Sequence, residues 1–250
     1  MKQQHTISFI ISLFLCCSVT LHAQEEKEEV AIKKDSIQLR YGLRLGTDAS
    51  KLIRTALDDD YSGFEINGDY RLTKDLFIAG EIGNEEKTTT NDFLDVTAKG
   101  SYFKVGFDYN LYDNWAGADN MIYSGFRIGA STFSQTRTSY TVYSTNQYWQ
   151  PQFSSTESIE SSGLSAIWVE LILGIKAEVF TNFYIGINAQ LKGMITQDQP
   201  VDFENLFVPG FNKTFDSGRI GVGYGYSVSY LIPLFKKNKN SVKTKKEVDN

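Results

Sequence analysis

Apolar residues fall on every second position from 37 to 45. Ile37, Leu39, Tyr41, Leu43 and Leu45 share one row, while Gln38, Arg40, Gly42, Arg44 and Gly46 share the other. A strand keeps such sets on opposite faces and a helix would mix them, so the pattern predicts a strand with one apolar face. The arrangement returns at Phe64, Ile66, Gly68, Tyr70 and Leu72 against Glu65, Asn67, Asp69 and Arg71. After the hairpin-sized turn Thr73-Lys74-Asp75 it returns at Leu76, Ile78, Gly80 and Ile82 against Phe77, Ala79, Glu81 and Gly83. Phe103, Val105, Phe107 and Tyr109 oppose Tyr102, Lys104, Gly106 and Asp108; Ile122, Phe126, Ile128 and Ala130 oppose Tyr123, Gly125, Arg127 and Gly129. The longest row, Ile167 to Val179 on odd positions, leaves Trp168, Glu170, Gly174, Lys176 and Glu178 on the other face. Thr181-Asn182 then turns the chain into Phe183, Ile185, Ile187, Ala189 and Leu191, opposite Tyr184, Gly186, Asn188, Gln190 and Lys192. A last strand carries Ile220 to Ile232 on even positions against Arg219, Gly221, Gly223, Gly225, Ser227 and Ser229.

Eight strands with this period predict an all-β fold. Connection lengths refine it: long at Lys51–Ser62, Glu85–Leu94, Phe133–Ser162 and Thr196–Ser217, shorter between, with Leu111–Asn120 longer than a tight turn. That asymmetry matches an eight-stranded antiparallel up-and-down transmembrane β-barrel with short periplasmic turns and long extracellular loops. An even strand count leaves both charged tails on the periplasmic side. Pro151, Pro200 and Pro209 fall in proposed loops and Pro233 at a strand end, where no ladder donor is lost.

A soluble barrel or sandwich would alternate too, so the identity of the wet face decides the class. Three features point the apolar row toward lipid. The rows are long enough to cross a membrane. Tyr70, Tyr109, Phe183 and Tyr230 sit at row ends, as interfacial girdles do. The opposite face holds Arg40, Arg44, Arg71, Lys104, Arg127, Lys176, Lys192 and Arg219 with Glu65, Asp69, Glu81, Asp108, Glu170 and Glu178, interspersed with glycines that make room in a narrow tube. So balanced a set implies a lumen filled by ion pairs, since an isolated buried charge is costly.

Residues 1–23 read as a signal peptide, with an apolar stretch from Ile7 to Val19 and Leu21-His22-Ala23 before a charged segment. Lipidation at Cys16 or Cys17 fits poorly, because Leu15 and Cys16 are not the small residues expected before such a cysteine. Residues 24–35 form a periplasmic segment, 36–235 the barrel and 236–250 a basic, disordered tail. Both cysteines (Cys16, Cys17) and both histidines (His5, His22) leave with the signal, which removes disulfides, thiolate nucleophiles, His-Cys zinc sites and histidine general bases. A formal net charge of −5 gives no nucleic-acid footprint. After the signal no apolar run reaches the roughly 18 residues that a membrane helix needs.

Several segments resemble an uncharacterised family of Bacteroidota outer-membrane β-barrels known as domain of unknown function 6048. They are Gly68-Asp69-Tyr70-Arg71-Leu72-Thr73-Lys74, Gly83-Asn84-Glu85-Glu86-Lys87-Thr88, Gly100-Ser101-Tyr102-Phe103-Lys104, Asn146-Gln147-Tyr148-Trp149, Gly174-Ile175-Lys176-Ala177-Glu178 and Pro209-Gly210-Phe211-Asn212. The resemblance implies the cell outer membrane and adds no activity.

Candidate chemistry is sparse. Asp58-Asp59-Asp60 offers hard oxygen ligands but lacks the spacing of a calcium loop and reads as a solvated acidic turn. Ser50–Leu57 predicts a short amphipathic helix at the rim. Tyr140, Tyr143, Tyr148, Trp149 and Phe153 in the longest loop offer rigid contact area for a glycan or protein partner, or simply extend a hairpin above the membrane. The expectation is a non-enzymatic barrel in contact with outer-membrane lipid, with no metal and no cofactor, acting by surface binding or membrane organisation through its loops. A narrow channel is the principal alternative; a soluble lipocalin-like barrel or a lipid-modifying barrel enzyme fits less well.

Overall fold

The computed structural model describes residues 38–113, 119–142, 153–200, 203–213 and 218–238. Eight strands carry the fold: β1 (Gln38–Asp48), β2 (Tyr61–Arg71), β3 (Leu76–Asn91), β4 (Leu94–Asn110), β5 (Met121–Thr141), β6 (Ile159–Phe180), β7 (Phe183–Gln197) and β8 (Ile220–Asn238). Each pairs antiparallel with its sequence neighbours, and β8 pairs with β1, which closes the ring. The result is an eight-stranded up-and-down β-barrel.

The register fixes its shape. Paired residues followed round the ring from Val222 pass through Leu191, Leu171, Phe126, Phe107, Ile78, Tyr70 and Leu43 and return to β8 at Ile232, ten residues further on. Ten residues at about 3.3 Å, set against eight strands about 4.8 Å apart, tilt the strands by about 40°. At that tilt the outward row Ile167 to Val179 rises about 30 Å, the thickness of a bilayer's hydrocarbon core.

The alternation resolves as expected. Leu43, Ile66, Ile82, Phe107, Leu173, Ile187 and Tyr230 are exposed around the outside, while Arg44, Glu65, Asp69, Lys104, Asp108, Arg127, Glu170 and Lys192 are buried inside. A surface that is apolar on every strand around a charged interior reverses the usual partition of a water-soluble protein.

Where the structure departs from the sequence reading, the outward row explains it. Glu85–Leu94 is not a long loop: β3 continues to Asn91 and β4 starts at Leu94. The outward row turns polar there, with Asn84 bonded to Ser101 (3.0 Å) and Glu86 paired with Lys99 (3.2 Å), so the hydrophobic signal stops while the ladder goes on. Likewise β5 runs to Thr141 and β6 starts at Ile159, which narrows the long loop to a hairpin raised above the apolar belt. β8 extends to Asn238, beyond the expected end of the barrel at 235. Tyr41 is buried, stacked on Phe235 at 5.0 Å beside a register shift, and is not part of the exposed outward row. Arg219 is exposed and precedes β8, so it is not a lumen charge.

The expected rim helix is present as α1 (Ala49–Leu57). Asp48 caps it by accepting the Ser50 backbone N–H at 2.8 Å.

Candidate functional site

Strand register places the interior charges in a continuous column. Arg44 faces Asp69 (3.4 Å), Asp69 holds Lys176 (2.7 Å), Lys176 approaches Asp108 (3.6 Å) and Asp108 holds Arg127 (2.8 Å). Arg127 continues to Glu81 (3.3 Å), and Glu81 to Lys104 (2.7 Å), its direct register partner across β3 and β4. Lys104 is the hub, with Glu65 at 3.5 Å and Glu170 at 3.7 Å as well, and Glu170 faces Lys192 at 3.4 Å. At the end that carries the short turns, Arg71 pairs with Asp119 (2.8 Å) and half-buried Arg40 with Glu178. Every lumen residue expected from the sequence except Arg219 therefore sits in one of two ion-pair networks, the long column or the smaller group of Arg40, Arg71, Asp119 and Glu178 at the short-turn end.

Aromatic rings fill the space between the charges. Tyr102 donates to Glu65 (2.6 Å), Trp168 Nε1 to Glu170 (2.7 Å), and Arg44 stacks 4.4 Å over Tyr184. At Gly129 an added Cβ would lie 2.3 Å from the Trp168 indole, so the inward glycines admit rings as well as long charged chains. The void left within the column, lined by Asp69, Glu81, Arg127, Lys176 and Gln190 among others, measures about 40 Å³. That volume takes a few waters.

At the end that carries the long loops, two further elements enter the lumen among the described residues. The segment between β7 and β8 turns inward, where Phe207–Val208 pairs with Asn212–Lys213 in a tight hairpin. Val208 and Phe211 join Tyr102, Phe133, Leu164, Ala166, Trp168 and Met194 in an apolar cluster across the lumen. The Gly210 N–H donates to Glu85 Oε2 (2.6 Å), and its carbonyl accepts from Lys192 Nζ (2.7 Å). Gly210 has φ +82° and Asn212 φ +82°, the left-handed region in which these two residue types are tolerated. Helix α1 is the second element. Its Lys51 reaches into the lumen to Glu85 (2.5 Å) and Glu65 (3.8 Å), and Arg54 stacks 3.9 Å over Tyr61.

Outside the belt, Asp58 accepts from Lys87 (3.2 Å), which holds its carboxyl below the usual carboxylate range, and also from Arg54 (3.4 Å). The acidic turn is thus engaged with cations of the protein itself. Among the described residues no three or more His, Cys, Asp or Glu side chains converge on a metal position. Of the aromatic loop, Tyr140 lies 6.0 Å from exposed Phe153 and under Arg137 at 4.4 Å. Tyr143, Tyr148 and Trp149 lie outside the described residues.

The geometry identifies the strands, the lattice and the inward hairpin as one unit, and a family profile described as Domain of unknown function (DUF6048) matches residues 6–237, which spans all of it. The chain belongs to that family. A search of curated proteins gives no match. Among solved structures the barrel is similar to Ail, the attachment invasion locus protein of Yersinia pestis, at 10% identity over 77% of this chain and 97% of that one, TM-score 0.39. It is also similar to Neisserial surface protein A (NspA), at 9% identity over 79% and 98%, TM-score 0.38.

Sequence reasoning missed Lys51, Glu85, Asp119 and the inward hairpin. Glu85 continues the inward row of β3 past Gly83, and a reading that followed that row beyond the apolar belt would have found it. Asp119 lies in a connection and Lys51 on a helix, where a period of two carries no information.

Proposed function

We propose that this protein is a non-enzymatic barrel of a bacterial outer membrane, with its apolar belt in lipid, its tails in the periplasm and its long loops outside. The filled lumen supports this reading: among the described residues, ion-paired side chains leave a void of about 40 Å³ in the column, and the cavity of about 240 Å³ on its long-loop side is bounded by α1 and the inward hairpin. The interior charges are then structural: they satisfy one another within a tube that lipid surrounds. Work on a substrate or partner falls to the loops, where Tyr140 and Phe153 begin the aromatic surface suited to a glycan or a protein.

Fractionation and bilayer recording test this together. The protein is expected in the outer-membrane fraction, to shift in mobility on a gel when heated, and to show no discrete conductance in planar bilayers. Recovery in the soluble periplasmic fraction without detergent would overturn the membrane placement. Conductance altered by Glu170→Ala or Arg127→Ala would overturn the closed lumen in favour of a narrow channel.

A further inference from the structure

The charges of the long column, taken with Lys51 and Glu85 at its long-loop end, do not balance. Arg44, Lys51, Lys104, Arg127, Lys176 and Lys192 stand against Asp48, Glu65, Asp69, Glu81, Glu85, Asp108 and Glu170, one more carboxylate than cation among the described residues. Each of these carboxylates except Asp48 has a lysine or arginine within 4 Å. Asp48 is 6% exposed. Its Oδ1 serves the α1 cap, accepting from the Ser50 N–H (2.8 Å) and hydroxyl (2.6 Å), while its Oδ2 accepts no hydrogen bond from a described residue. The helix end supplies only about half a positive charge. A buried carboxylate left short of a full counter-charge is costly.

Strand register assembles further oxygens around Oδ2. Asp48 is paired with Ser227, Gly225 with Asn188 and Gly223 with Gln190, which sets Asp48, Ser227, Asn188 and Gln190 side by side on the lumen wall. The two glycines leave the space between them open. A Cβ at Gly225 would stand 3.3 Å from Asp48 Oδ2 and 3.2 Å from Asn188 Oδ1, and one at Gly223 would stand 2.8 Å from Gln190 Oε1. Gln190 Nε2 donates to Asn188 Oδ1 (2.8 Å), so Gln190 Oε1 is left without a described partner and Asn188 Oδ1 keeps a second lone pair. Asp48, Glu65 and Gln190 line both the void of about 40 Å³ in the column and the cavity of about 240 Å³ on its long-loop side. The cluster therefore stands where the two adjoin.

We propose that these oxygens hold one monovalent alkali cation, taken up from the long-loop side. Asp48 Oδ2, Asn188 Oδ1 and Gln190 Oε1 are its protein ligands, and water in the adjoining void, which has room for a few molecules, completes the shell. One positive charge closes the balance of the column. A divalent ion would overshoot it, and calcium draws on more carboxylates than the single unpaired one present here. The assignment holds whichever medium faces the outer belt.

Urea unfolding of the full barrel in detergent micelles, compared between sodium chloride and the same concentration of N-methyl-D-glucamine chloride, reads the site without a change in ionic strength. Sodium is expected to lower the unfolding constant about ten-fold, the factor that mass action gives when the ion stands at about nine times its Kd. Asp48→Asn keeps the helix cap, because Asn caps as well as Asp, and should abolish the difference between the salts. In N-methyl-D-glucamine chloride that variant should be no less stable than the unaltered barrel, since it removes the uncompensated charge. Gly225→Ala sets a methyl against the same oxygens and should raise the sodium concentration needed for half the effect at least five-fold. Rubidium soaked into crystals of the unaltered barrel should give an anomalous peak in contact with Asp48 Oδ2, absent from Asp48→Asn. Equal unfolding constants in the two salts, a sodium effect that survives Asp48→Asn, or a response to calcium chloride with none to sodium would overturn the site.

Discussion

Lys104→Met is expected to destabilise the barrel by about 3–5 kcal/mol, the cost of stripping a buried ion pair of one partner. Lys104 is 3% exposed and lies within 4 Å of Glu65, Glu81 and Glu170, three carboxylates on three different strands. Met matches its length, so the change removes charge with little loss of volume. Glu81 retains Arg127, and Glu170 retains Lys192, but Glu65 is left with Lys51 at 3.8 Å. Urea unfolding in detergent micelles, followed by the mobility shift between folded and unfolded forms, measures the loss. The double variant Lys104→Met with Glu65→Gln should recover part of it, since the coupling of adjacent charges is not additive. A loss below about 1 kcal/mol would mean that the interior charges are hydrated individually and do not act as a lattice, contrary to a buried network.

Gly210→Val is expected to expel the inward hairpin. A β-branched residue at φ +82° costs about 1–2 kcal/mol of backbone strain. The new Cβ would also lie 2.6 Å from the Tyr102 ring and 3.0 Å from Trp168, and crowding of that kind costs about 1–3 kcal/mol. The hairpin can relieve both by leaving, at the expense of the Gly210–Glu85 and Lys192–Gly210 bonds and of the Phe211 contact with Trp168, whose ring centroids are 6.1 Å apart. Hydrogen exchange of the amide at position 210 reports this directly. It should exchange slowly in the unaltered protein and at least a hundred-fold faster in the variant, while amides of the β5–β6 ladder stay protected. Unchanged protection at 210 would show that the hairpin is not held by its backbone conformation.

These two residues mark what sequence periodicity can and cannot see. Lys104 stands in a row, between Tyr102 and Gly106 and opposite Phe103 and Val105, and its inward position follows from parity alone. The same holds for Arg127, Glu170 and Lys176, because the outward row is apolar throughout from Ile167 to Val179 on β6, and on β5, interrupted only at Ser124, from Ile122 to Ala130, which marks the other face as interior. Parity gives direction and not partners: Arg127 is in register with Glu170, yet its guanidinium turns to Asp108 and Glu81. Once a strand rises above the belt, its outward row turns polar and the signal fades, which is why Glu85 reads as loop. Gly210 lies in a segment that folds back into the lumen, and inward folding imposes no period. Pro209-Gly210-Phe211-Asn212 was legible only as a family resemblance; its physical content is two left-handed residues around a phenylalanine wedged against Trp168.

On the proposed membrane placement, the apolar outer belt faces lipid around the entire ring. Because Cys16 and Cys17 precede the barrel, single cysteines can be introduced into it at Ile82, Phe107, Leu173, Leu191 and, as a control above the belt, Glu86. With a nitroxide on each and the barrel in lipid vesicles, the first four should be relaxed by dissolved oxygen and shielded from a water-soluble nickel chelate, and Glu86 should show the reverse. Chelate access at all four belt positions equal to that at Glu86 would contradict the membrane placement and leave a barrel that stands in water.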